Sequence, residues 1–161
     1  MTLDSRGFRD ALGHFATGVA VISATGPDGG AIGVTINSFA SVSLDPPLVL
    51  WSLDKGSDRF RLLMQVENFG VNLLGQAEMD ISRRLSRKGE SALGDDELRK
   101  GHHGVPMLKH AIASFECAVH ERIEAGDHII FIGRVLHSAH DSHEQPLLYY
   151  RGAYRGLAPK A

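Results

Sequence analysis

The chain has 161 residues, 43% of them apolar and 22% charged, which is the size and composition of one globular domain with a sizeable core. Seventeen basic against nineteen acidic side chains leave a formal charge of -2, so there is no basic footprint for nucleic acid or an anionic membrane. A lone cysteine, Cys117, cannot close a disulfide within the chain, no apolar run reaches the ~20 residues that cross a bilayer, and no basic-then-apolar leader opens the sequence, so the expected setting is cytoplasmic.

In chain order, residues 5–16 predict an amphipathic helix capped by Ser5, with Phe8, Ala11, Leu12 and Phe15 on one face. Val19–Ile22 and the alternating Ile32, Val34 and Ile36 then form a hairpin across Gly26-Pro27-Asp28-Gly29-Gly30. Asp45-Pro46-Pro47 forces an extended entry into a strand over 48–51. A helical turn capped by Ser57 carries Phe60, Leu63 and Met64, and Phe69, Val71 and Leu73 return to strand spacing. A short helix fits 76–86, and the polar stretch from Ser86 to Gly104 predicts a long surface excursion. Phe115, Cys117 and Val119 alternate on a further strand, with Cys117 read as a small buried residue. A turn at Gly126-Asp127 leads into the apolar run 129–132, and a last strand fits 147–150. Roughly seven strands, without strict strand–helix alternation, predict a mainly β fold: an antiparallel barrel with a few peripheral short helices.

The signatures of Rossmann, P-loop, esterase-elbow and zincin chemistry are all missing. Eight of nine histidines follow residue 100, which raises the question of a metal. His137, His140 and His143 recur every third residue, but Ser138, Asp141, Ser142 and Pro146 around them predict a loop, and solvated histidines are the expected outcome.

A different pattern carries function. Phe8-Arg9-x-Ala11-Leu12-Gly13-x-Phe15-Ala16-Thr17-Gly18-Val19 is followed by the block Gly33-Val34-Thr35-Ile36-Asn37-Ser38-Phe39-Ala40-Ser41-Val42-Ser43-Leu44-Asp45-Pro46-Pro47. Then come Phe69-x-Val71-Asn72-Leu73-Leu74, Gly104-x-Pro106-x-Leu108, Gly126-Asp127-His128 and Pro146-Leu147-Leu148-Tyr149-Tyr150-Arg151-Gly152-x-Tyr154. Read by residue type alone, the hydroxyl block is equally a polar strand-to-turn segment, because Ser, Asn and Asp favour turns without any ligand. Phe39 and Trp51 suit either a ligand wall or the core, and the Gly-Asp-His triplet is in any case a hairpin turn.

In this order, from about residue 8 to 155, the segments resemble the flavin reductase-like family, the small NAD(P)H:flavin oxidoreductases that serve two-component monooxygenases. The resemblance implies one split-barrel domain over 1–161, usually a homodimer, that reduces FMN or FAD with NADH or NADPH and passes reduced flavin to a separate monooxygenase. It places Thr35, Asn37, Ser38 and Phe39 at the flavin ring. Ser52, Leu53, Asp54, Ser57 and the stretch Ser82-Arg83-Arg84 fall toward the ribityl-phosphate or nucleotide part, where hydroxyls, N–H groups and arginine suit a phosphate, and the hydroxyls of Ser41 and Ser43 are further donors of that kind. His128, Tyr150, Arg151 and Tyr154 fall near the nicotinamide, with Asp127 bracing the turn or His128. No nucleophile–base pair is required, since the two cofactors carry the hydride. Two other readings are a flavin-binding electron carrier that turns over no nicotinamide, and another split-barrel flavoenzyme such as a pyridoxamine phosphate oxidase relative.

Overall fold

A computed structural model describes residues 4–140 and 143–158. After helix α1 (Ser5–Leu12) come strands β1 (Thr17–Gly18), β2 (Ala20–Thr25), β3 (Ala31–Ile36), β4 (Ala40–Leu44) and β5 (Pro47–Asp54). Helix α2 (Phe60–Leu63), strand β6 (Asn68–Leu73), a 3-10 turn (Gln76–Glu78) and helix α3 (Met79–Leu85) follow. The remainder is β7 (Leu98–Lys100), β8 (Pro106–Leu108), β9 (Ala113–Ala125), β10 (His128–His140), β11 (Leu148–Tyr150) and β12 (Ala153–Arg155).

Seven strands form one antiparallel sheet in the order β3-β2-β6-β9-β10-β5-β4. Strand alternation sends Val49, Trp51 and Leu53 of β5, Ile129 and Phe131 of β10 and Phe69 and Val71 of β6 to one side. There they meet Ile32, Val34 and Ile36 of β3, from the opposite end of the sheet, in a single buried cluster. Strands so far apart in sheet order share a core only if the sheet rolls, and the right-handed strand twist provides the roll. Trp51 is the hub, stacked on Phe131 at 4.4 Å between centroids and edge-on to Phe69 at 5.7 Å. Burying each such ring contributes roughly 1.5–3 kcal/mol. Gly133 lies where the β9–β10 register shifts, and a Cβ there would sit 2.5 Å from the Phe69 ring, so the close packing requires glycine.

A second cluster, Val21, Leu74, Leu85, Leu93 and Leu147 among it, packs α3 and the chain's end against the outer side of β2. Buried polar groups brace the connections. Asn72 donates to the Val21 carbonyl and the Ser23 hydroxyl and accepts the Leu108 N–H at 2.9 Å, which ties the segment before β9 to β6. Glu116, buried on β9, accepts the N–H groups of His102 and His103 at 2.7 and 2.8 Å and holds the turn they form.

Several expectations change. Asp4, not Ser5, caps α1, accepting from Arg6 and Gly7, because an ionised carboxylate one residue earlier outcompetes a hydroxyl inside the first turn. Ser57 does not cap α2; its hydroxyl accepts the Arg59 N–H just before that helix. The stretch 86–104 is no loose excursion: Ala92 bridges Ile32, Leu93 is buried, and β7 pairs with β8. His137 and His140 stand on β10 rather than in a loop. Three residues apart on a strand, they face opposite sides, and His137 rests against His102 at 3.9 Å. Asp141 and Ser142 lie outside the described residues. No group of three side chains suited to a metal ion occurs among the described residues, and no helix among them is long and apolar enough to cross a membrane.

Candidate functional site

Where β3 ends, residues 37–39 cross to β4, passing beside β5. Ser38 makes this crossing firm: its hydroxyl accepts the Ser52 N–H at 2.9 Å and donates to the Ser52 carbonyl at 3.3 Å. The residue before it, Asn37, is exposed and lines four neighbouring cavities, which therefore read as one groove centred on its amide.

At one end is a cavity of about 220 Å3 bounded by 34–38, by Ser52, Leu53, Asp54 and Ser57, and by His128. Most polar side chains here already hold the protein itself. Asp54 accepts the Gly56 N–H at 2.7 Å, Ser57 accepts from Arg59, and Leu53 points into the core. His128 opens β10, and its Nδ1 lies 2.7 Å from the Asp127 carboxylate. That hydrogen bond, and then the imidazole's charge, hold the Asp127 carboxyl below its ordinary 3.8. Lys55 steadies the same turn by donating to the Gly126 carbonyl at 2.8 Å and pairing with Glu124.

At the other end lies a cavity of about 400 Å3, bounded by Thr35, Asn37, Arg83, Arg87, Tyr149 and Tyr154. The Thr35 hydroxyl donates to the Ser82 carbonyl at 2.8 Å, and the Tyr154 phenol meets the Ser82 hydroxyl at 2.7 Å. Arg83 sits over the Tyr154 ring, 5.6 Å from its centroid. A third cavity of about 620 Å3 runs beneath the end of α1, between Phe15 and Arg151. A fourth, of about 130 Å3, reaches Phe39, which stacks on Phe115 at 5.7 Å. Arg151 and Gly152 form the two-residue turn between β11 and β12, both with positive φ, 48° and 76°, the mirror-image turn that matches strand twist.

The structure thus gathers Thr35, Asn37, Ser38, Phe39, Ser52, Leu53, Asp54, Ser57, Arg83, His128, Arg151 and Tyr154 along the groove. Trp51 belongs to the core alone. Ser41 and Ser43 border none of these cavities, because 40–44 is an edge strand paired to β5 and not an extension of the crossing. Arg84 turns away and clips the following loop, donating to the Ala92 carbonyl at 2.6 Å and to Glu97 at 2.5 Å. Tyr150 borders none of these cavities and only meets the edge of His14, which lines one, and its neighbour Tyr149 lines two cavities instead. The signal for that was available: Tyr149 shares strand parity with the buried Leu147 and stands opposite Tyr154. Arg87 was also missed, since it lies one helical turn past Arg83, in the stretch read as a surface excursion.

The donor set suits a flavin. A polar ring edge needs placed hydrogen-bond groups, an apolar edge needs a wall, and a phosphate needs cations. Asn37, the backbone at Ser38, the tyrosine pair and the exposed Arg83 and Arg87 supply these in turn.

Comparison with known proteins agrees. Residues 12–158 match the flavin reductase like domain. The chain is 44% identical to the FMN reductase (NADH) SmoA of Agrobacterium fabrum, covering 94% of this chain and 85% of that one. It is 40% identical to the NADH-dependent flavin reductase StyB of Pseudomonas fluorescens, over 96% of this chain and 91% of the other. Some relatives are longer, and the chain spans about half of their length. Among solved structures, the NADH:FAD oxidoreductase SgcE6 of Streptomyces globisporus, in complex with NAD and FAD fragments, superposes with a TM-score of 0.88 at 32% identity, covering 100% of this chain and 99% of that one.

Proposed function

The chain belongs to the flavin reductase-like family, and on that premise we propose that it is an NADH-dependent flavin reductase that hands reduced FMN or FAD to a separate monooxygenase. The observation that carries this reading is the groove itself: one exposed amide, Asn37, joins a cavity walled by two tyrosines and two arginines to one that ends at His128. Relatives named as NADH-dependent reductases, and as reductase subunits of flavin-dependent monooxygenases, support the coenzyme and the partner.

When bound, the two cofactors supply the hydride chemistry, from nicotinamide C4 to flavin N5. The protein's own work is to place them. Asn37 and the backbone at Ser38 offer hydrogen bonds to a polar ring edge. Tyr149 packs edge-on to Tyr154 at 5.5 Å and supplies a stiff apolar wall. Arg83 and Arg87 receive an anionic group at the outer end. His128, oriented by Asp127, offers a ring nitrogen to a carboxamide.

A homodimer fits the sheet's other face. Leu48 and Leu50 of β5 and Ile130 and Ile132 of β10 alternate with the core residues and are only half-buried, with Ile123 and Leu136 40% exposed beside them. A second copy of the chain covers this strip, making residues 1–161 a single domain that works in pairs. Sedimentation of the wild type as a dimer, and of Ile132→Glu as a monomer, is the expected result. A monomeric wild type overturns the pairing.

The functional test crosses NADH and NADPH with FMN, FAD and riboflavin and follows nicotinamide oxidation. Turnover with NADH and at least one flavin supports the reductase. Flavin binding without nicotinamide oxidation identifies an electron carrier instead.

A further inference from the structure

Ser82 is fully buried and borders no cavity of the groove, yet it holds two side chains that do. Its carbonyl accepts the Thr35 hydroxyl from β3, and its hydroxyl meets the Tyr154 phenol from β12. One residue of α3 therefore fastens the small β1-β11-β12 sheet to the large sheet at the cavity wall. Tyr154 in turn has Tyr149 against its edge and the Arg83 guanidinium over its face.

Arg83 needs that support. Its side chain is 55% exposed, and the closest carboxylate, Asp80 at 3.8 Å, is 99% exposed and too well solvated to fix it. A long arginine at an exposed site takes its orientation from the surface beneath it, and a tyrosine face attracts a guanidinium. The groove's centre serves neutral ring edges, so a cation at its outer wall has use only for an anion. A guanidinium matches a phosphate with two parallel donors, and Arg87 borders the same cavity.

Building on the flavin reductase reading, we infer that Ser82 is a positioning residue: its hydroxyl fixes the Tyr154 ring, and the ring presents Arg83 to the phosphate of flavin mononucleotide. The Thr35 contact uses the Ser82 backbone, so Ser82→Ala removes one arm of the arrangement and leaves the other in place. Both Ser82→Ala, on a helix, and Tyr154→Phe, of unchanged shape, are expected to fold, and circular dichroism of each preparation is the check.

The test is equilibrium binding of FMN and of riboflavin, which lacks the phosphate, followed by flavin fluorescence with no nicotinamide present. The wild type is expected to bind FMN more tightly than riboflavin. Ser82→Ala weakens FMN about three- to tenfold and leaves riboflavin unchanged, Tyr154→Phe weakens FMN to the same extent, and the double variant is no weaker than the worse single one. Arg83→Ala abolishes the preference for FMN. Equal losses for both flavins overturn the inference, because the hydroxyl pair then merely props the cavity open. Additive losses, no loss, or a preference that survives Arg83→Ala also overturn it. A wild type that shows this pattern but never oxidises NADH sinks the reductase reading and leaves the role of Ser82 standing.

Discussion

The two ends of the groove are built on different principles. At the His128 end the polar side chains are committed to the protein: Ser38 to Ser52, Asp54 to Gly56, Ser57 to Arg59 and Asp127 to His128. What this end offers a ligand is backbone geometry and one oriented imidazole. At the Arg83 end the committed groups lie behind the wall, at Ser82, and the wall itself carries exposed guanidiniums and tyrosine rings. On the proposed function, shape dominates recognition at the first end and charge at the second, and substitutions at the two ends should have different signatures.

The broadest way to break the comparison is to remove what both ends share. Trp51 packs against Phe131 and Phe69 under the whole rolled sheet, and Trp51→Ala should cost about 3–5 kcal/mol of stability, read as a lowered denaturant midpoint with loss at both ends together. Next comes the junction. Asn37→Ala should weaken flavin binding by about tenfold while leaving the thermal midpoint near that of the wild type, because the residue is exposed and supports no core contact. Unchanged flavin affinity would dissociate the cavities that Asn37 joins.

A smaller, one-sided effect is expected at the histidine end. His128→Ala should raise the Michaelis constant for NADH about three- to tenfold with little change in flavin affinity; equal change in both would erase the distinction between the ends. Smallest is the Asp127 contact. Because its partner lowers the carboxyl below 3.8, the contribution of the pair is fully present above that value and lost only as pH falls through the depressed one. Asp127→Asn should accordingly raise the NADH constant about twofold at neutral pH and remove that acid-side dependence, which a pH series of the Michaelis constant would show.

Much of this was legible in the residues. The β2–β3 hairpin announces itself through alternating apolar positions around a Gly-rich turn, and the β9–β10 pair through Cys117 at strand spacing and the Gly126-Asp127 turn. Cys117 is buried as its spacing implies, and burial, with Glu116 beside it, pushes its thiol up to about 12. What escaped the reading depended on pairing partners far away in sequence. Ser41 and Ser43 have the composition of a ligand loop, and only the register with Val49 and Leu48 makes them an edge strand. Arg83 and Arg84 are adjacent and chemically alike, yet successive helical positions send one to the groove and the other to Glu97. Tyr149 and Tyr150 divide in the same way through strand parity. Residue type thus pointed toward the groove, and side-chain direction, set by tertiary pairing, decided which neighbour lines it.

The central claim, that this groove brings two cofactors together for direct hydride transfer, is tested most directly by one anaerobic mixing experiment. Protein, FMN and NADH are combined without oxygen or oxygenase, and the absorbances of oxidised flavin and of NADH are followed together. The account predicts that both disappear one for one, with the protein required and free two-electron-reduced flavin as the product. Persistence of oxidised flavin while NADH and protein are both in excess would contradict it.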